Sequence, residues 1–381
     1  MGIVSIQACK DYDLNAVRSA LEKTIEDLGG LESHIQKGSR VLLKVNLLMK
    51  KKPEEATTTH PNFVKALADI LVDYGCHVLI GDSPGGPYNQ KSLMPIYEMC
   101  GYNELVSDSI ELNWNFNEKE SVFKDAKVLN RVQLVSMLDD VDHVISVSKL
   151  KTHGMMLFTG AVKNLFGVIP GLIKAEYHFK MPNTDDFADA LVDICENVKP
   201  VLSFMDGIVG MEGAGPSAGN PIEIGLVIAS ENPHELDYTA VHIVKIPPMN
   251  VPTLKMACQR GLIHNHFDHI SLKGMPLMEA QVPSFDAPEI RSVAFISEKY
   301  PLWIRQLADQ LLKPKPVFSK ELCVGCGECA RVCPPQAIAM IKQFPLVNLD
   351  SCIRCYCCQE LCPKKAVEIY RPWLLKVMTK L

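Results

Sequence analysis

Cys323-Val324-Gly325-Cys326-Gly327-Glu328-Cys329-Ala330-Arg331-Val332-Cys333-Pro334 is answered further along the chain by Cys352-Ile353-Arg354-Cys355-Tyr356-Cys357-Cys358-Gln359-Glu360-Leu361-Cys362-Pro363. Both stretches read C-x2-C-x2-C-x3-C-P, a spacing that wraps [4Fe–4S] cubes. Three thiolates set two residues apart reach three corners of one cube from a tight loop, and the fourth cannot reach back. In this layout the fourth cysteine of each run ligates the other cube. The expected ligand sets are therefore Cys323, Cys326, Cys329 and Cys362 for one cube, and Cys352, Cys355, Cys358 and Cys333 for the other. Cys357 is off-register and reads as a buried or bystander thiol, with a role as substitute ligand the lesser alternative.

Rival readings of these cysteines fit less well. A disulfide framework belongs to short chains in oxidising compartments, whereas this chain has 381 residues and opens on Met1-Gly2-Ile3-Val4-Ser5-Ile6 without a signal-peptide pattern. Zinc ribbons use pairs of C-x2-C and leave the duplicated triplets unexplained. Fourteen cysteines in such a chain point to a reducing, cytoplasmic setting, and oxygen-sensitive cubes to an anaerobic one. A net charge of −5 gives no drive toward nucleic acid, and no apolar run approaches the ~18–20 residues of a spanning helix.

Upstream, apolar β-branched runs alternate with amphipathic helical stretches to about residue 246. Strands are expected at Ile3–Ala8, Val41–Leu48, Val78–Ile80, Val144–Val147, Val201–Met205 and Ile222–Ala229. Helices are expected at Leu14–Leu28, from Pro61, and near Phe187–Asn197 and Glu235–Val244. Strands separated by helices of this length predict an α/β body with a mainly parallel sheet, followed by an α+β bacterial ferredoxin-like domain. The expected division is 1–312 for the body, in one or two lobes, 313–316 for a Pro/Lys linker, 317–371 for the cluster domain and 372–381 for a basic tail. Leu322–Met340 and Ser351–Ile369 form an internal repeat whose folding is coupled to its metal.

The polar residues of the body collect at expected strand ends, where open α/β sheets bind ligands. Ser146-Val147-Ser148-Lys149-Leu150-Lys151-Thr152-His153 carries Lys149, Lys151 and His153 toward one side of an extended chain, and Lys163-Asn164 follows in the next segment. Converging cations suit a carboxylate or a phosphate ester; the bland reading is a solvated turn. Lys44 and Asn46 sit in an otherwise apolar strand, where a charge needs a partner or a function. His60-Pro61 opens a helix whose free N–H groups favour anions, although a lone histidine there is more often a helix-start residue. Asp82 and Ser83 lie in the Gly81–Pro87 loop, which matches neither nucleotide-loop fingerprint and read alone is a turn. Asp206 and Glu212 are acidic candidates for pairing with the lysines, orienting them or holding a hard cation; Asp237 is a further acidic group on a later helix, and for each one singly capping or turn formation is the plain alternative. His264, His266, Asp268 and His269 have the residue types of a metal site but lie in a polar loop with no visible frame, so they read as solvated.

With these stretches assembled, the chain resembles the family known as domain of unknown function 362, in the form that carries a C-terminal two-cluster ferredoxin domain. The resemblance spans nearly the whole chain. Its strongest points are Val147–His153, Thr159-Gly160-Ala161-Val162-Lys163-Asn164-Leu165-Phe166-Gly167, Asp206-Gly207 through Glu212-Gly213-Ala214-Gly215-Pro216, and Gly81-Asp82-Ser83-Pro84-Gly85. The family tends to show Asp-Pro-x-Ala-x-Asp where this chain has Asn232-Pro233-His234-Glu235-Leu236-Asp237, which keeps only Asp237 as a candidate. Val41–Leu48 with His60-Pro61 is also similar to the amino-terminal part of lactate racemases.

Three functions compete. In the first, cubes pass single electrons to a site holding an anionic substrate or an unseen cofactor such as a flavin or metal. Lys149, Lys151, His153, Lys163, Asn164 and His60 would do the chemistry there, and Lys44, Asn46, Asp82, Ser83, Asp206 and Glu212 would bind. In the second, the body is a docking surface for a partner redox protein. In the third, the protein handles metal or cofactor precursors, and extra metal near Asp206 and Glu212 would mark it.

Overall fold

The computed structural model describes residues 2–181, 183–288 and 314–370. The basic tail after 370 and the linker residue Lys313 lie outside them. Nine strands of the described residues form one sheet. They are β1 (Gly2–Ala8), β2 (Arg40–Lys44), β3 (His77–Gly81), β4 (Ile110–Leu112), β7 (His143–His153), β8 (Leu157–Thr159), β9 (Leu202–Glu212), β10 (Asn220–Ser230) and β11 (Ile270–Gly274). A separate hairpin joins β5 (Glu118–Val122) to β6 (Arg131–Val135). The sheet order is β11-β1-β10-β9-β7-β2-β3-β4, with β8 folded back on β7. The run β9-β7-β2-β3-β4 is parallel throughout. Only β10 and β8 run against their neighbours in the direction of the rest. The body is the mainly parallel α/β sheet that the alternating pattern implies.

Alternation along the strands divides the apolar residues between two faces. Val41 and Leu43 of β2 face one core with α1 (Leu14–Asp27), α2 (Pro61–Tyr74) and α3 (Gln90–Met99). Leu42, between them, points to the opposite layer, which contains α6 (Thr184–Val198). That helix buries Phe187, Leu191, Ile194 and Cys195 at the i, i+4, i+7, i+8 spacing of one apolar stripe. Further along the same face, α7 (Pro233–Ile243) and α8 (Pro252–Gln259) cover Val4, Ile6, Met205 and Ile228. Two shorter helices, α4 (Ala161–Asn164) and α5 (Ile173–Lys180), lie beyond the carboxyl end of β7.

Strand ends differ from expectation where polar residues take over the backbone. β2 stops at Lys44 rather than continuing to Leu48, because the Asn46 and Leu47 amides bond to Thr59 Oγ1 and to Asp82 instead of a neighbouring strand. β7 and β9 run past Val147 and Met205 to His153 and Glu212. They carry their charged ends within the sheet, with a register shift between Lys149 and Lys151.

The cysteine module carries two antiparallel strand pairs. Strands β12 (Lys315–Phe318) and β15 (Val367–Tyr370) pair antiparallel, as do β13 (Ile338–Ile341) and β14 (Phe344–Val347). Lys315 and Pro316, read from sequence as linker, are thus the first residues of a strand. Proline is tolerated there because the pair is an edge. The two halves match in detail: short helices Glu328–Arg331 and Cys357–Glu360 each start after a left-handed residue, Gly327 and Tyr356.

Candidate functional site

The body's polar residues fall into two buried groups. In the first, Lys149 and Asp206 are fully buried and paired at 2.8 Å. Tyr12 Oη donates to Asp206 Oδ1 at 2.8 Å and accepts from Lys149 Nζ at 2.8 Å. The His60 amide donates to Asp206 Oδ2. The His60 ring stacks on Tyr12 at 3.6 Å, its Nδ1 caps α2 by accepting from the Asn62 amide, and burial pushes its pKa down to about 4. The Asp206 carboxylate is thus shared among Tyr12, Lys149 and the His60 amide. Glu212 stays apart, its carboxylate accepting from the Asp286 amide, and Asp237 caps α4 by accepting from the Ala161 and Val162 amides.

The second group surrounds a cavity of about 80 Å³ between the body and the cysteine module. That is room for several waters or a small polar ligand. Asn46, Asp82, Ser83, Lys163 and Asn164 line it, with Lys174 and His178 from α5. Its far wall is made by Val332, Cys357, Glu360 and Leu361 of the module. Behind the lining, Lys44 pairs with Asp82 at 2.9 Å and donates to Asn164 Oδ1 at 3.1 Å. Lys151 donates to Asn46 Oδ1 at 2.8 Å and to the Thr57 carbonyl. Gly167 seals this layer, since a Cβ there would collide with Asp82 and the Lys44 ammonium. The lysines thus act at two depths: Lys44 and Lys151 fix the carboxylate and amides that face the cavity, and Lys163 and Lys174 face it directly.

Charge is unevenly satisfied around this cavity. Among the described residues Lys163 has no hydrogen bond or ion pair; burial lowers its pKa, opposed by the charges of Glu360 and Cys357. Lys174 donates to the Ser83 and Ile169 carbonyls, and burial brings its pKa to about 7. Burial does the same for Lys151. Among the described residues the buried His178 Nδ1 has no hydrogen-bond partner. Glu360 enters this cationic surround from the module, 3.6 Å from His153 Nε2. Its pKa lies well below the usual carboxylate range: burial raises it, and the neighbouring His153, Lys163 and His178 outweigh that. The module is held here by main-chain contacts too: Ser217 Oγ donates to the Glu360 carbonyl at 2.6 Å and Lys365 Nζ to the Gly219 carbonyl at 3.1 Å.

The structure therefore brings Asn46, Asp82, Ser83, Lys163 and Asn164 together, keeps Lys44, Lys151 and His153 one layer behind, and sets Lys149, Asp206, His60 and Glu212 elsewhere. Asp206 and Glu212 do not converge on a metal-sized point among the described residues. Sequence reading missed Tyr12, Lys174, His178 and Glu360. The i, i+4 pair Lys174 and His178 after Pro170-Gly171 was a usable signal. Tyr12 and Glu360 act across long sequence separations and gave none.

In the module, Cys323, Cys326, Cys329 and Cys362 line one small cavity. Cys333 has Cys355 and Cys352 within electrostatic reach, and Cys358 has Cys355, Cys352, Cys329 and Cys333. These are donor sets that fit iron–sulfur clusters, with the fourth thiol drawn from the opposite run. The Ala337 and Ala366 amides each donate to a sulfur, Cys333 and Cys362, at 3.2 Å. Cys357 is buried and turns to the inter-module cavity.

The fold and this junction define an α/β protein fused to an iron–sulfur module. The chain matches the Domain of unknown function (DUF362) over residues 41–242 and a 4Fe-4S dicluster domain over residues 315–363. It belongs to the DUF362 family. A thylakoid-associated protein of Synechocystis is 32% identical over 260 residues, covering 68% of this chain and 79% of that one. Among solved structures, the lactate racemase apoprotein of Thermoanaerobacterium thermosaccharolyticum is similar at 12% identity and TM-score 0.40, over 65% of this chain and 58% of that one. A Thermotoga maritima protein is similar at 15% identity and TM-score 0.36, over 65% and 59%. This chain spans less than two thirds of the length of either. No helix among the described residues is long and apolar enough to cross a membrane.

Proposed function

We propose that the protein is an iron–sulfur redox protein in which two [4Fe–4S] cubes deliver electrons to an anionic substrate or cofactor held in the inter-module cavity. The observation that carries this reading is Lys163, a lysine with no hydrogen bond or ion pair among the described residues, facing the cavity wall that the second cysteine run provides. The cubes, when bound, supply electrons one at a time. Lys163 and Lys174 would bind the anion and offset the negative charge that reduction adds. With pKa values near 7, Lys174 and Lys151 can hold or release a proton at working pH. Asn46 and Asn164, fixed by Lys151 and Lys44, would orient the ligand.

Electron entry belongs at the opposite end of the module. Cys326 is exposed, and Leu322 and Val324 beside it are 49% and 58% exposed. An apolar surface at the cube held by the first run suits a transient redox partner. The same arrangement supports the adaptor reading if the cavity holds a ligand that only completes the junction. The free thiols suit a reducing, cytoplasmic setting.

The test is electron paramagnetic resonance of the anaerobically reduced protein with phosphate or small dicarboxylates added. An anion in the cavity is expected to perturb the signal of the cube nearest Cys357. The effect should weaken as pH rises through about 7, because Lys174 and Lys151 then lose their positive charge. Lys163→Ala with Lys174→Ala should abolish it while iron content is unchanged. A wild-type spectrum indifferent to every anion, or a double variant that responds like wild type, would refute the cavity assignment.

A further inference from the structure

At the edge of the sheet, away from the residues of the cavity, three imidazoles crowd together. His264, His266 and His269 each offer a ring nitrogen, and the three donor atoms lie within 4.8 Å of one another. Their ring centroids are 4.1 Å apart for His264 and His269, 5.4 Å for His264 and His266, and 5.3 Å for His266 and His269. All three are exposed. The sequence alone shows them in a loop without a frame, and a frame is what the structure adds.

The loop is pinned at three points. Ile263 and Ile270 are buried on either side of it. Between them, Phe267 packs its ring against Tyr238 at 5.1 Å and His242 at 4.8 Å. Phe267–His269 forms a single 3-10 turn that leads directly into β11, whose Ile270 is in register with Gly2 of β1. Anchoring the apolar positions inward leaves the histidines outward on a short, fixed arc. The Asp268 carboxylate lies 3.3 Å from His266 Nδ1. A carboxylate on one ring nitrogen sets the tautomer so that the other nitrogen is free to ligate. Three imidazoles within donor distance, one of them oriented by a carboxylate, are the donor set of an open transition-metal site.

We propose that His264, His266 and His269 form a surface site for a divalent transition metal of the zinc or nickel class, with water completing the coordination. The all-nitrogen donor set selects against magnesium and calcium, which take oxygen ligands. Because the histidines are exposed, replacing them leaves the core untouched.

The experiment uses anaerobic protein with its clusters in place, dialysed to equilibrium against a slight molar excess of Zn²⁺, with zinc and iron counted together. One zinc per chain beyond the iron is expected. His266→Ala and His269→Ala should each weaken binding at least tenfold, and Asp268→Asn by about tenfold through the lost orientation. Unchanged iron content in these variants confirms that the fold is intact. X-ray absorption at the zinc edge should show nitrogen and oxygen neighbours only. The proposal is overturned by the absence of zinc beyond the iron, by equal affinity in a His264→Ala, His266→Ala, His269→Ala triple variant, or by sulfur in the zinc shell.

Discussion

Lys149→Met is expected to destabilise the folded protein by about 3–5 kcal/mol, the usual cost of stranding a buried charge. Lys149 and Asp206 have no exposed side-chain surface and meet at 2.8 Å. Without the ammonium, Asp206 keeps Tyr12 Oη and the His60 amide but no countercharge. Asp206→Asn should cost less, because the amine left behind can shed its proton: burial already lowers the Lys149 pKa. The two substitutions should also be non-additive, since they remove one shared interaction. Urea denaturation of the two single variants and the double variant measures all three expectations. Equal stability of Lys149→Met and wild type would show that Lys149 is not committed to holding β7 against β9.

Cys362→Ala should empty the cube of the opposite cysteine run. The thiol of Cys362 shares a cavity with Cys323, Cys326 and Cys329 rather than with Cys352, Cys355 and Cys358 of its own run. Iron should fall from about eight to about four per chain, the content of one [4Fe–4S] cube. Alkylation without denaturant should then label Cys323, Cys326 and Cys329 while Cys352, Cys355 and Cys358 stay protected. Cys333→Ala should give the mirror result. The apolar core of the module is small, centred on Ile338, Cys358 and Val367, so loss of both cubes should unfold it. Labelling of Cys352, Cys355 and Cys358 in the Cys362→Ala variant would mean that each run serves its own cube.

Strand and helix placement was legible because the body obeys local rules: alternation in Val41-Leu42-Leu43, the apolar stripe of α6, and Pro61 at a helix start. The cysteine spacing was still more explicit, since ligand geometry is written in short intervals. The charged residues were legible as a set but not as partners. Lys149 and Lys151 share one strand and read as one cationic site, yet Lys149 is paired with Asp206 and Lys151 with Asn46. Those partners come from other strands and loops, and pairing across a sheet depends on register that no local pattern encodes. Glu360 shows the same limit: within the cysteine run it looks like a surface residue, and only docking of the module places it beside His153. The histidine loop was legible in residue type, while its frame required Phe267 to meet Tyr238 and His242.

The cavity at the junction is most directly tested by releasing small molecules from anaerobically purified protein and identifying them by mass spectrometry, with iron counted in parallel. An anionic compound should accompany the wild-type protein and be missing from Lys163→Ala with Lys174→Ala at unchanged iron content. Wild-type protein that carries its full iron but no anion, or a double variant that retains the same compound, would contradict the assignment of this cavity as the place where the electrons go.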